Sequence, residues 1–398
     1  MWDMFNFCCP CILDKTPTLR INGVSFEILD LLGEGGFSYV YLVQSKSNNS
    51  LYALKKINCP YGNSNLKQAV REVDNYREFQ SPYIMRSIES AVVQEADGSK
   101  TIYILLPYFD NGSLQDIIDR NSVNNSKMDE GEALRLFIGV CRGLISMHRH
   151  QPSKNYHIIS SMDQQTIGSY EDDIADAEEE NPFLSSEERR ERQQRAKKQP
   201  QRNIERAPEQ QPLIDNTSSI DEQPTDTLNG EDATELTETV SMAHRDIKPG
   251  NVMLSKDGTP VLCDLGSCDK ARVTVHNRSQ AITIQELTNE QCTLAYRSPE
   301  LVDIKVGDSL SEKVDIWSLG CTLYALLYGS SPFEREETIN GANILLAIGS
   351  GTYSFPSEPT YSDGIKQLIQ FCLVVDPNAR PDIEEVLSRA LAVQRGNV

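Results

Sequence analysis

The run His244–Asn251, HRDIKPGN, constrains this chain of 398 residues more than any other stretch. It places a carboxylate, an ammonium and a carboxamide in one short loop, and few chemistries need all three so close together. The set suits phosphoryl transfer to a hydroxyl. Asp246 would orient the acceptor hydroxyl, Lys248 would face the transferring phosphate, and Asn251 would hold one of two magnesium ions bridging the phosphates of a nucleotide. The plainer reading is an exposed charged turn, but so many specified positions seldom coincide. A loop of this kind obliges the rest of the chain to supply a phosphate cradle, a second metal ligand and a nucleotide pocket.

Those parts are present. Leu32–Val43, LGEGGFSYVYLV, reads as strand, glycine cluster and strand, a hairpin suited to cover phosphates. Leu32 and Val40 would flank an adenine, and Gly33 and Gly35 let the backbone approach phosphate oxygens with no Cβ in the way. Ser38 stands where a third glycine is usual. Leu51–Ile57, LYALKKI, is the next strand, with Ala53 lining the pocket and Lys55 reaching the α and β phosphates. A helical pattern over Gln68–Gln80, closed by Ser81-Pro82, offers Glu72 as the acidic partner of Lys55. For either residue alone a surface salt bridge is the ordinary alternative. After a strand over Thr101–Leu106, Leu106 would back the pocket, and the Pro107 carbonyl and Phe109 amide would meet the adenine edge. Met253 would floor the adenine, and Asp264 in CDLG would be the second magnesium ligand.

With these motifs in place the chain resembles a eukaryotic protein kinase over about residues 24–150 and 240–395. Thr293, the SPE of Ser298–Glu300, the DIWSLG of Asp315–Gly320 and Arg380 in DPNARP extend the likeness. The resemblance implies an α+β, bilobal fold. Residues 24–107 would form an N-lobe with an antiparallel five-stranded sheet plus one helix (αC), and residues 108–395 a mainly helical C-lobe. It also implies a buried Glu300–Arg380 ion pair and a Thr293 hydroxyl bridging Asp246 and Lys248. Lys248 together with Thr293 resembles serine/threonine rather than tyrosine kinases. More narrowly, MAHRDIKPGN, CDLGS, CTLAYRSPEL and VDIWSLGCTLYALLYG are similar to the Numb-associated kinase family, in particular its small lipid-anchored branch. That likeness implies ATP and Mg2+ as cofactors and protein Ser/Thr hydroxyls as substrates. It further implies a place on the cytosolic face of vacuolar or Golgi/endosomal membranes, in trafficking. The competing reading is a membrane-tethered pseudokinase scaffold; Lys55, Glu72, Asp246, Asn251 and Asp264 all stand against it.

Charge excludes one partner class. Lys plus Arg number 38 against 58 Asp plus Glu, a net charge of −20, and nucleic acid requires neutralising cations instead. Of the ten cysteines, seven are scattered through the lobes as small hydrophobes would be, without metal spacing, which implies a reducing compartment. The other three are clustered. Cys8, Cys9 and Cys11 lie in MWDMFNFCCPCIL, a run too short to span a bilayer and lacking the flanks of a secretory signal. Thiols beside Trp2, Phe5 and Phe7 suggest S-palmitoylation, so residues 1–20 are read as a membrane-anchor segment. Position 2 is Trp2, which excludes N-myristoylation. An apolar arm folded on the domain is the alternative.

Between His148, which ends a helical run, and His244 lies far more chain than a compact connection needs. Residues 153–243 carry 9 Lys plus Arg and 21 Asp plus Glu, so most of the excess charge sits there. Rich in Gln, Glu, Pro, Ser and Thr, the insertion 153–240 reads as disordered, with too little apolar surface to offset ordering, and as a tether for protein partners. Its basic run RRERQQRAKK, Arg189–Lys198, reads as a solvated face before it reads as a docking signal.

Overall fold

The computed structural model describes residues 18–36, 38–60, 63–95, 98–152 and 239–396. Cys8, Cys9, Cys11 and residues 153–238 of the insertion lie outside the described residues. By its contacts the chain divides into two units: the first four strands with Ile88–Tyr108, and the first helix through Ser87 with everything from Phe109 onward.

The first unit is one antiparallel sheet. Its strands are β1 (Thr18–Ile21), β2 (Val24–Glu34), β3 (Ser38–Ser45), β4 (Leu51–Cys59), β5 (Glu89–Gln94) and β6 (Lys100–Pro107), in the order β1-β2-β3-β4-β6-β5. The expectation of five strands is therefore corrected to six, and Thr18–Ile21 belongs to the sheet rather than to an anchor segment ending at residue 20. The cause is local. Asn22 and Gly23 take φ of 44° and 83°, and Ile21 pairs with Val24 across them, the two-residue hairpin geometry that Asn-Gly favours. One face of the sheet closes on itself through Ile21, Phe26, Val43, Leu54, Tyr103 and Leu105, with Phe26 set edge-on to Tyr52 at 6.0 Å. Since strand side chains alternate, the other face is free to carry a different chemistry.

The second unit is mainly helical. Its first helix, α1 (Asn63–Glu78), begins earlier than the Gln68 read from sequence, and its contacts group it with this unit rather than with the sheet. Next come α2 (Leu114–Val123), started by a capping box of Ser113 and Asp116, and α3 (Glu130–His148), capped by Asp129. Short strand pairs follow. These are β7 (Met242–Ala243) with β10 (Asp269–Lys270), β8 (Val252–Leu254) with β9 (Pro260–Leu262), and β11 (Val273–Thr274) with β12 (Ser309–Leu310). Between β11 and β12 lies α4 (Arg278–Gln291); the remaining helices are α5 (Lys313–Tyr328), α6 (Pro332–Asn340), α7 (Ile344–Ser350), α8 (Asp363–Cys372) and α9 (Ile383–Gln394).

Two packing choices aim the functional loops. Helix α3 presents Gly139 and Gly143 where it meets β9, and a Cβ on Gly143 would stand 2.8 Å from Leu262 Cδ1, so glycine sets the approach of the hairpin that leads into Asp264. Helix α5 is buried from Val314 through Leu327 and forms the axis of the unit, with Trp317 stacked on Phe333 at 5.3 Å. On burial alone, a fully covered Trp of this kind stabilises by about 2–3 kcal/mol.

Candidate active site

The loop that follows β7 is held from beneath by one carboxylate. Asp315, fully buried in the first turn of α5, accepts the His244 and Arg245 amides at 2.8 Å each and His148 Nε2 at 3.0 Å. Burial pushes its carboxyl up, but the hydrogen bond and charge of His148 and the backbone donors outweigh that, and the net shift is downward. His244 Nε2 meets the Cys263 carbonyl at 3.0 Å, so that nitrogen carries the hydrogen and Nδ1 is left to accept the Asp246 amide at 3.3 Å. Arg245 is thereby kept at φ 67°, a left-handed conformation that costs a non-glycine residue about 1 kcal/mol and is retained because its surroundings over-determine it.

Asp246 emerges from this base almost completely covered, at 6% exposure, with both oxygens engaged. Oδ1 accepts the Thr293 amide at 2.8 Å; Oδ2 accepts Lys248 Nζ at 2.8 Å and Asn251 Nδ2 at 2.9 Å. Lys248 Nζ also donates to Thr293 Oγ1 at 2.7 Å. The expected hydroxyl bridge is corrected in one half: the Thr293 hydroxyl meets Lys248, while Asp246 is met by the Thr293 amide. Asn251 donates a second bond to the Asp246 carbonyl at 2.8 Å, which identifies its nitrogen end and leaves Oδ1 as the end available to a cation. Its own carbonyl accepts the Cys263 amide at 2.9 Å, tying this loop to the residue before Asp264. Asp264 is half-buried at φ 58°, with its amide on Tyr76 Oη at 3.2 Å. A carboxylate and a carboxamide oxygen are the hard ligands that Mg2+ takes when phosphates and water complete its octahedron, so the donor set fits that ion.

Helix α1 lies over the segment that starts at Asp264. Asn75 Nδ2 donates to the Leu265 and Cys268 carbonyls at 3.1 and 2.9 Å, and Tyr76 meets the Asp264 amide. Glu72, on the same face and buried, comes so close to this segment that a Cβ on Gly266 would stand 3.0 Å from its Oε2. Gly266 therefore sets the clearance for the Glu72 carboxylate.

In the sheet unit, register gathers the nucleotide-facing expectations on one surface. Gly33 pairs with Val40, Val40 with Lys55, Leu42 with Ala53 and Ala53 with Leu106, so Gly33, Val40, Ala53, Lys55 and Leu106 share the face opposite the Phe26 cluster. Lys55 and Leu106 are buried. Leu32 falls in a register shift between Leu31 and Gly33 and is 44% exposed. Pro107 ends β6; Phe109 accepts the Gly112 amide through its carbonyl; Met253 lies half-buried in β8.

Away from the loop, Arg380 forks onto Glu300 at 2.7 and 3.0 Å and lies 5.2 Å over the Trp317 ring, with further bonds to the Val374, Lys313 and Val375 carbonyls. That is the buried ion pair the resemblance implied. Within α4, Gln285 clamps the Leu301 carbonyl and the Ile304 amide.

The protein kinase domain family matches residues 26–153 and 236–391. The chain belongs to that family. Both kinase segments carry the loops built from these residues, and the match is interrupted only across residues 154–235, where the insertion lies. Among curated relatives, the kinase is 40% identical to serine/threonine-protein kinase ENV7 of Saccharomyces cerevisiae over 96% of this chain and 95% of that one. It is 35% identical to serine/threonine-protein kinase ppk13 of Schizosaccharomyces pombe over 93% and 90%. Human serine/threonine-protein kinase 16 is 29% identical over 95% and 93%. Sequence reasoning missed Asp315 and His148 as supports of the kinase loop and Asn75, Tyr76 and Gly266 as the fittings of α1. An aspartate opening an otherwise apolar helix, DIWSLG, was the available signal for Asp315.

Proposed function

We propose that this kinase transfers the γ phosphate of ATP, with Mg2+, to serine and threonine hydroxyls of proteins, and that it does so at an endomembrane surface. The observation that carries the first part is the closed triangle of Asp246, Lys248 and Thr293. With Oδ1 fixed by the Thr293 amide and Oδ2 by Lys248 and Asn251, the Asp246 carboxylate has one orientation in which to receive an incoming hydroxyl proton and aim the oxygen. Lys248 offsets charge on the phosphoryl oxygens. Lys55 supplies positive charge to the α and β phosphates. Asn251 Oδ1 and the Asp264 carboxylate would hold Mg2+, which would supply further charge neutralisation on the phosphates.

The names of the ENV7, ppk13 and kinase 16 relatives all specify serine/threonine activity and support the acceptor class. The decisive comparison is wild type against Asp246→Asn on peptides differing only in a Ser, Thr or Tyr acceptor. Asp246→Asn should lower turnover about a thousandfold while retaining Mg2+-dependent thermal stabilisation by ATP. A variant as active as the parent refutes the reading, and so does a preference for Tyr.

The membrane part rests on Cys8, Cys9 and Cys11 in their apolar and aromatic setting. Two or more palmitoyl chains give stable anchoring where one does not. No helix among the described residues is long and apolar enough to cross a membrane. Replacing all three cysteines with serine should move the protein from the membrane to the soluble fraction, and unchanged membrane retention would rule the anchor out.

A further inference from the structure

Besides Thr293, Tyr296 and Ser298, which close the segment from Asp264 to Glu300, that segment contains five hydroxyl residues, Ser267, Thr274, Ser279, Thr283 and Thr288, and Arg245 beside Asp246 is a cation suited to receive a phosphate placed on one of these five. The structure gives that cation other work. Arg245 Nη2 donates to the Lys270 carbonyl at 2.6 Å. One residue earlier stands Asp269, only 2% exposed, in the β10 strand that pairs with Ala243 just before the catalytic loop. Its carboxylate meets Arg71 Nη1 at 3.3 Å. Arg71 is the residue immediately before Glu72 on α1, and one turn further along the same helix Asn75 grips the carbonyls of Leu265 and Cys268.

Two of the five hydroxyls are not open to modification. Ser267 and Thr288 are 7% and 4% exposed, and Ser267 Oγ is bonded to the His244 carbonyl at 2.6 Å. Thr274, Ser279 and Thr283 remain accessible. The first lies in β11 and the other two in α4, elements already ordered by pairing with β12 and by the Asn277 cap.

We propose that Asp269 is a resident anion that does the work of an activating phosphate: through Arg71 it holds α1, and hence Glu72, against the segment beginning at Asp264, so that catalysis needs no phosphorylation of that segment. Arg71 and Asp269 are thus positioning residues, acting through Glu72 rather than on substrate. The inference rests on the kinase activity proposed for this chain. A phosphate would bring about two negative charges to such a site, whereas a buried carboxylate with one charge suffices because its arginine is already prepaired and desolvated.

The test uses the full chain, stripped with phosphatase and checked by mass spectrometry. Stripped wild type should keep its turnover within about twofold, as should the triple variant Thr274→Ala, Ser279→Ala, Thr283→Ala. Asp269→Asn and Arg71→Met should each lower kcat about tenfold and raise the KM for ATP by a similar factor, because a misplaced Glu72 affects both nucleotide binding and chemistry. A lesion that merely unfolds part of the sample lowers kcat alone, and Arg71→Lys, which keeps the charge, should recover most of both parameters. Loss of more than about tenfold in stripped wild type, or full activity with normal KM in Asp269→Asn, overturns the proposal. Inactive wild type under every condition would instead refute the kinase reading itself, so the two failures are distinct.

Discussion

The catalytic loop and the glycine hairpin both belong to the nucleotide chemistry proposed for this kinase, yet they are built in opposite ways. Around Asp246 every bond is matched by another. The carboxylate has three donors, the two amides before it share Asp315, and His244 is fixed at both ring nitrogens. The hairpin from Leu32 to Ser38 is closed at its tip by a main-chain bond from Gly35 N to the Ser38 carbonyl at 2.7 Å, above a register shift and with Leu32, Gly35 and Gly36 exposed. The difference follows from what each must do. A group that aims a hydroxyl gains from having a single geometry, since misplacement by about 1 Å can cost a hundredfold. A cover over phosphates must open for each exchange of nucleotide and so belongs at the low-stability end of the molecule.

If that contrast is right, the largest effect should come from removing the carboxylate under the loop. Asp315→Asn keeps the shape but turns one acceptor into a donor facing amides or His148, leaving buried donors unpaired. We expect a loss of about 3 kcal/mol in unfolding free energy and a fall in turnover of about a hundredfold, read by chemical denaturation and peptide kinetics. The lowered pKa of Asp315 gives the pH dependence its sign. The stability contributed by the ionised form is fully present above the unfolded value of 3.8 and is lost as pH falls through the still lower folded value. An Asp315→Asn enzyme of normal activity would mean the loop holds its shape without its base.

Next in size is a control remote from the loop. In Glu300→Gln, Arg380 keeps its carbonyl partners but loses its counter-charge in a place where its own side chain is completely covered. Stability should fall by about 2–3 kcal/mol, while the fraction still folded at low temperature retains near-normal kcat. If kcat collapses as it does in Asp315→Asn, the platform and the loop are a single cooperative unit and the comparison must be redrawn.

How far the sequence could carry this depends on the reach of each interaction. HRDIKPGN was legible because its chemistry is contiguous, and the shared face of Val40, Ala53 and Lys55 was legible because strand alternation fixes it once the pairing is in register. The Asn22-Gly23 turn was equally local. It was overlooked because the strand it opens, Thr18–Ile21, is only four residues long and follows the cysteine-rich run that drew the boundary. Asp315 lies 71 positions from His244, and Arg71 lies 198 from Asp269; no local pattern announces such pairs, because packing of whole elements creates them. The start of α1 was missed for a related reason. Asn63, Ser64 and Asn65 are weak helix formers, and tertiary contacts along Arg71–Phe79 override that local preference.

A smaller effect tests the fitting between α1 and the Asp264 segment. Alanine at Gly266 would press on the Glu72 Oε2 atom at 3.0 Å, which the carboxylate can escape only by turning away from its place. Turnover of Gly266→Ala should fall about tenfold with little change in melting temperature, and combining it with Asp269→Asn should cost less than the two losses multiplied, since both displace the same side chain.

The hairpin should show the smallest response, and its two neighbouring glycines make the measurement internal. A Cβ at Gly36 meets nothing within 4 Å, whereas at Gly35 it reaches 3.0 Å from Ser38 Oγ, a hydroxyl that can rotate aside. Gly36→Ala should leave kcat unchanged and alter the KM for ATP by no more than about twofold; Gly35→Ala should raise that KM about threefold. Both numbers lie well below those expected beneath the loop, because an exposed turn with open space or a rotatable hydroxyl beside it absorbs a methyl group where a cross-linked carboxylate cannot. Should Gly36→Ala instead lose activity on the scale of Asp315→Asn, the hairpin would be as tightly determined as the loop, and the division of labour between a fixed base and an adaptable cover would not hold for this kinase.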